Sequence, residues 1–263
     1  MVGKILNRKI AVSLILIVLV AGWIGFSVYR YTNQIVVINI VGPIYDFQKT
    51  VSELNDAFYN PNVKAVILYL NTPGGIAYSC IEIAEYVKIV GEVKPLIAVM
   101  GSECASGGYY IASFAKKIIT YNNTITGSIG VLAVWVDLTK YYEKQGIKVW
   151  VWSTSKEKEF GAPWRSPTEE EKAAIQDEVN KIFEKIVRDI KENRNLSSEV
   201  LEELKSGKVF YGWEAVKLGL ADEVGDMKKA LDEASTMAGL TFHIVVSSTM
   251  NPKQRFLRAI GLI

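Results

Sequence analysis

The sequence has one histidine, His243, and only two cysteines, Cys80 and Cys104. A lone histidine near the C-terminus leaves no HExxH pair, so metal-dependent hydrolysis has little support and no cofactor is expected. Two cysteines are too few for a disulfide scaffold or paired CxxC sites. Both sit among small or apolar residues and read as buried. Excess charge of one sign is also missing. The formal net charge is +2, and no basic stripe carries interleaved aromatics, so there is no electrostatic case for a nucleic-acid partner. Internal repeats and low-complexity linkers are absent.

What is present begins with an uncharged run, IAVSLILIVLVAGWIGFSVY, from Ile10 to Tyr29. As a helix rising about 1.5 Å per residue, it spans about 30 Å, the thickness of a bilayer's hydrocarbon core. Lys4, Arg8 and Lys9 precede it, and Arg30 is the one basic residue close behind. This asymmetry places the N-terminus in the cytoplasm and the rest outside. A cleaved signal peptide is the alternative, but the run is long for one and no A-x-A site follows. The expected division is residues 1–9 cytoplasmic, 10–29 transmembrane anchor, 30–246 extracytoplasmic domain and 247–263 tail.

Beyond the anchor, strand-like and helix-like segments alternate. Ile35–Gly42, Val63–Leu70, Pro95–Gly101 and Lys117–Thr120 are β-branched or apolar runs with the length of strands. Leu132–Val136 and Ile147–Ser153 also read as strands, and Thr241–Val246 as a last one. Helical spacing appears at Phe47–Tyr59 and at Ile76–Val90, with a short helix at Leu138–Lys144. Thr168–Arg194 forms a long amphipathic helix that starts well at Pro167-Thr168 with Glu169–Glu171. Shorter helices are expected near Ser198–Ser206, Trp213–Leu218 and Met227–Ala238. The alternation argues an α/β domain with a largely parallel sheet. In such sheets functional loops collect at the carboxyl ends of strands. NTPGG (Asn71–Gly75) and ECASGG (Glu103–Gly108) both follow predicted strands, so both are expected at one sheet edge.

Ser106 then has two readings. A serine before two glycines at a helix start is a favoured N-cap. It is also a candidate nucleophile, because NTPGG beside it offers backbone N–H groups for an oxyanion, as does Gly107. No histidine is near enough to serve as base. A desolvated, neutral lysine can take that part, and STSKEKEFGAPWR supplies Lys156 and Lys158. Gly127-Ser128 in TITGSIGV is a plain turn or a hydroxyl that fixes an amine.

Four ordered motifs, NTPGG, ASGGYYIA, TGSIGV and KEKEFGAPWRSPTEEE, resemble the signal peptide peptidase A family. These are membrane-bound Ser/Lys proteases with a crotonase/ClpP-like fold: a repeated ββα core with a mainly parallel sheet, plus C-terminal helices. The similarity runs from about Ile35 to Met237 and is to the short, single-repeat form. The resemblance implies Ser106 as nucleophile, Lys158 as general base, Ser128 as the group orienting that base, and Gly75 and Gly107 as oxyanion-hole positions. Lys156 falls at a non-catalytic position. Glu157 and Glu159 flank Lys158 and must point away from its amine, since an acidic neighbour raises a lysine pKa. The resemblance further implies remnant signal peptides and other apolar, unstructured peptides as substrates. It also implies a homo-oligomer whose neighbouring subunits complete each site. Two alternatives share the fold: a crotonase-type acyl-CoA enzyme, which an extracytoplasmic location disfavours, and an inactive membrane scaffold. The tail Asn251–Ile263 is basic and apolar. It reads as a disordered end, a strip on the membrane surface, or a tethered peptide within reach of the site.

Overall fold

Three of the apolar runs form the centre of a sheet, and their hydrophobicity is continuous because both faces are covered. The computed structural model describes the backbone of residues 2–263 and the side chains from Lys9 onward. Strands β1 (Gln34–Val41), β2 (Val63–Thr72) and β3 (Leu96–Ala105) pair in parallel, and β8 (Ile244–Ser247) adds to the far side of β1. Successive side chains alternate between faces. Val36, Ile38, Val66, Leu68, Leu70, Ala98 and Met100 join a core with α2 (Gln48–Tyr59), α3 (Ala77–Val93) and α4 (Gly107–Ala112). Ile35, Ala65, Ile67, Ile97 and Val99 meet Ala230 and Ala234 of α9 (Met227–Met237) on the other face.

β3 is long enough to serve two neighbours on the edge away from β2. Its Ile97–Met100 half pairs with β4 (Lys117–Thr120), and its Glu103–Ala105 end pairs with β5 (Ile125–Gly127). β6 (Val209–Tyr211) lies antiparallel to β5, and β7 (Glu223–Val224) lies parallel to β4. Among the described residues this makes one eight-stranded sheet of order β6-β5-β3-β2-β1-β8, with β4 and β7 branching from β3. The other helices of the domain are α5 (Thr139–Lys144), α6 (Glu169–Arg194), α7 (Ser198–Lys205), α8 (Gly212–Lys217) and α10 (Pro252–Ala259). The predicted start of α6 is a capping box, in which Thr168 accepts from the Glu171 N–H and Glu171 from the Thr168 N–H.

Helix α1 (Val2–Thr32) contains a stretch, Lys9–Thr32, long and apolar enough to cross a membrane, with mean hydropathy 2.5 and 6% of it buried in the protein. Such a helix is compatible with an anchor or a signal. Asn33 alone separates it from β1. Met1 and the side chains of Lys4 and Arg8, on which the charge asymmetry rests, lie outside the described residues.

Four segments differ from the sequence expectation. Leu132–Val136 and Ile147–Ser153 are not strands; with α5 they form an arm, and their apolar residues face outward, Leu132 at 81% and Trp152 at 87% exposure. A short apolar, β-branched run makes a strand only where a sheet edge accepts its hydrogen bonds, and among the described residues the arm meets none. TGSIGV is not all turn: Ile125–Gly127 pairs on both sides, with β3 and β6. The tail is ordered as α10, capped by Asn251 and Gln254.

Candidate active site

β3 runs past the predicted Gly101 boundary to Ala105, and α4 starts at Gly107. Ser106 is therefore the single residue that turns strand into helix. It does so with φ 51° and ψ −121°, a left-handed conformation that L-residues seldom adopt. Such strain costs on the order of 1–3 kcal/mol and persists only where surrounding structure enforces it. The Ser106 N–H donates to the Gly127 carbonyl at 2.8 Å, and its carbonyl accepts from the Tyr110 N–H at 3.0 Å. Its side chain makes no capping hydrogen bond. Ser106 thus holds the N-cap position of α4 without its hydroxyl serving as the cap, and the hydroxyl stays free on a half-buried turn.

The glycines around it are there for close approach. A Cβ on Gly74, whose φ is +94°, would fall 2.7 Å from the Gly107 nitrogen and 3.1 Å from the Ser106 Cβ. The PGG loop is therefore packed directly against the serine turn. A Cβ on Gly75 would fall 2.0 Å from the Ile44 carbonyl oxygen, because Ile44 and Gly75 form a parallel bridge. That bridge uses the Ile44 N–H to Gly74 O (2.9 Å) and the Ile76 N–H to Ile44 O (2.8 Å). It leaves the Gly75 N–H out. Gly107 opens α4, so its N–H has no partner within the helix. The two predicted donors, Gly75 and Gly107, therefore sit on segments in contact and are unused by the backbone ladder.

Cys80 packs against this region, a contact between residues distant along the chain. A Cβ on Gly107 would lie 2.3 Å from Cys80 Sγ, so the thiol fills the space that the glycine leaves open. Burial raises the Cys80 thiol to about 11, partly opposed by a hydrogen bond from the Gly75 N–H. At neutral pH it is a packing atom beside the donors and not a competing nucleophile. The signal that would have found it is the pairing of a small-residue helix start with a glycine that must pack on it. Asn71 was also missed. Its Oδ1 accepts from Ser102 Oγ (2.8 Å) and from the Glu103 N–H (3.1 Å), tying the end of β2 to β3.

Ser128 arrives by a parallel route. Gly127, at φ +84°, ends β5, and Ser128 follows at φ 52° with its N–H donated to the Lys208 carbonyl at 2.8 Å. Since Ala105 pairs with Gly127, Ser106 and Ser128 leave neighbouring strands at the same level.

Lys158 is placed differently. It lies on a short 3₁₀ turn, Lys156–Glu159, at the exposed end of the arm. Among the described residues no hydrogen bond or ion pair engages its amine, and none joins it to Ser106 or Ser128. The flanking carboxylates are occupied elsewhere: Glu159 accepts from Ser153 Oγ (2.9 Å) and pairs with Arg165 (3.5 Å). Glu157 is held below the usual carboxylate range by its own backbone N–H and the Ser155 hydroxyl. The arm is fixed by its own cluster. Trp135 Nε1 donates to the Ala162 carbonyl, and Arg165 stacks over Trp135 while gripping both oxygens of Glu171. His243 lies beside Ser235 at the start of β8, and nothing links it to Ser106.

A free serine hydroxyl on a strained strand-to-helix turn, with the Gly107 N–H unpartnered within its helix and the Gly75 N–H engaged only by the neighbouring Cys80 thiol, is an arrangement suited to acyl transfer on an α/β fold. Comparison with known proteins agrees in class. The model of peptidase family S49 matches residues 88–241. A protein of Enterococcus faecium assigned the name signal peptide peptidase SppA is 32% identical over 203 residues, 77% of this chain and 59% of that protein. Protease 4 of Haemophilus influenzae is 32% identical over 221 residues, 80% of this chain and 35% of the relative. The chain thus spans less than two thirds of the length of these relatives. The solved structure of a membrane-bound stomatin-specific protease, a serine-to-alanine mutant, superposes with TM-score 0.53 at 18% identity. It covers 76% of this chain and 84% of that one, and it supports the fold. The chain belongs to peptidase family S49.

Proposed function

We propose that this chain is a membrane-anchored serine endopeptidase with a Ser106/Lys158 dyad, acting outside the cytoplasm on remnant signal peptides and other apolar, unstructured peptides. The observation that carries this is the Ser106 turn: a positive-φ serine, without a capping bond, packed against Gly74 and Gly107. Neutral Lys158 takes the hydroxyl proton as Ser106 Oγ attacks the peptide carbonyl. The Gly75 and Gly107 N–H groups hold the oxyanion. Protonated Lys158 then gives its proton to the leaving amine, and water hydrolyses the acyl-enzyme. Ser128 hydrogen-bonds the amine of Lys158.

The exposed, unbonded position of Lys158 supports a particular arrangement: the lysine of one copy serves the serine of its neighbour. The apolar outward faces of the arm favour the same homo-oligomer, since patches of this kind are seldom left to water. Mixing settles it. Ser106→Ala and Lys158→Ala proteins, each inactive alone, are co-assembled and assayed on an apolar peptide. Recovered hydrolysis is the expected result; no recovery at any ratio, with both variants assembled normally, excludes a shared site. An active-site serine probe separates the protease from the two other users of this fold. Labelling of Ser106 that Ser106→Ala abolishes is expected, whereas an acyl-CoA enzyme or an inactive scaffold leaves the probe unreacted.

A further inference from the structure

Two aromatic contacts tie the domain to helix α1 at the level where its apolar run ends. Phe242 packs edge-on against Phe26, with ring centroids 5.4 Å apart, and Phe256 of α10 packs edge-on against Tyr31 at 6.1 Å. The run ends at Tyr29. At about 1.5 Å per residue, Phe26 lies about 4–5 Å inside that end and Tyr31 about 3 Å beyond it. If α1 spans a bilayer, the rings of Phe242 and Phe256 sit at the boundary between acyl chains and headgroups.

The surroundings fit that position. Phe242, Phe256, Leu262 and Ile263 are each half or more exposed, at 54%, 50%, 68% and 60%. In water they make an apolar patch beside an apolar helix. Residues 241–263 carry Lys253, Arg255 and Arg258 and no carboxylate side chain, and Arg30 stands over Phe26 on the same side. Aromatic rings and cations with no opposing acid are the composition of an interfacial, anionic-lipid-facing surface. The patch is also held in place. Arg255 donates to the Gln34 side chain (3.2 Å) and to the Met250 (2.9 Å) and Ser248 (3.4 Å) carbonyls, which locks α10 to the first residue of β1. With Asn33 as the only spacer, the domain has no linker on which to swing.

We propose that Phe242, α10 and the C-terminal Leu262-Ile263 form a seat that inserts into the headgroup layer of an anionic membrane, with Lys253 and Arg258 in its phosphate zone, so that the domain rests on the bilayer. This rests on the reading of α1 as an anchor. It also changes the reading of the tail, which is a capped, docked helix and not a loose peptide available to the active site.

The test uses the full chain in vesicles of phosphatidylcholine and phosphatidylglycerol, with single nitroxide labels. Cys80 and Cys104 are buried, so introduced cysteines take the label. Leu19→Cys reports the anchor, Phe242→Cys and Leu262→Cys the seat, and Tyr45→Cys, past the far end of β1, the aqueous side. The seat labels are expected to be more accessible to oxygen than to a water-soluble nickel reagent, the reverse of Tyr45. Seat labels as water-accessible as Tyr45, with Leu19 in hydrocarbon, overturn the seat and leave the anchor. Water access at Leu19 overturns the anchor itself. Lys253→Glu combined with Arg258→Glu is expected to shift the Leu262 label toward water, and no shift overturns the part assigned to these cations.

Discussion

Ser106 and Ser128 leave adjacent parallel strands side by side. Ala105 pairs with Gly127, the Ser106 N–H donates to the Gly127 carbonyl at 2.8 Å, and the two serines have φ of 51° and 52°. One hydrogen bond thus links the proposed nucleophile to the residue before the proposed orienting hydroxyl. The spacing of these two groups is set by a sheet hydrogen bond and not by a flexible loop.

The strain at Ser106 separates activity from stability. Ser106→Ala and Ser106→Gly both abolish hydrolysis. The glycine variant is expected to be the more stable of the two by about 1 kcal/mol, because glycine adopts positive φ freely. Equal thermal or denaturant midpoints for the two would show that the turn is unstrained.

The packing of Gly107 on Cys80 predicts a coupled pair. Gly107→Ala forces a methyl toward Cys80 Sγ and costs about 1–3 kcal/mol by overpacking, along with most activity. Cys80→Ala removes the sulfur and is expected to restore part of the lost stability. A double-mutant cycle in denaturant measures the coupling, expected at about 0.5–3 kcal/mol; strict additivity would mean the two residues do not share the space.

A dyad acts as one unit, so Ser106→Ala, Lys158→Ala and the double variant are expected to fall to a similar residual rate, with Lys156→Ala active. Only an uncharged amine accepts the hydroxyl proton, so the rate of the wild-type protein rises toward alkaline pH. Chelators leave it unchanged. Activity lost in EDTA and restored by zinc would overturn the dyad, as would an inactive Lys156→Ala beside an active Lys158→Ala.

The arm's attachment is expected to depend on pH. Hydrogen bonds from Arg165, with the Thr168 N–H, hold the Glu171 carboxyl down to about 2. A carboxyl depressed in the folded state stabilises above its unfolded pKa of about 4.3 and loses that contribution as pH falls through the folded value. The protection factors of amides across residues 131–168, taken relative to the intrinsic exchange rate at each pH, are therefore expected to fall between about pH 4 and pH 2, and Glu171→Gln to lower them already at neutral pH. Protection independent of both changes would show that the pair does not hold the arm.

Much was legible in the residues themselves. Continuous apolar runs at β1, β2 and β3 mark strands buried on both faces, and the Thr168–Glu171 cap marks the start of α6, because hydrophobic burial and local hydrogen bonding are written in short stretches of chain. The motifs named Ser106, Ser128, Gly75 and Gly107, and a parallel α/β reading placed two of their loops at one sheet edge. The sequence did not decide between cap and free hydroxyl at Ser106. That depended on β3 continuing to Ala105 and on the Gly127 hydrogen bond, which are tertiary. Nor did it reveal Cys80 beneath Gly107, or Phe242 and α10 against α1, since these contacts join residues far apart in sequence. The arm shows the converse: its short apolar runs promised strands, but a strand is completed by a partner edge. Local pattern sets what a segment can become, and the neighbours brought by the fold select which of those states is realised.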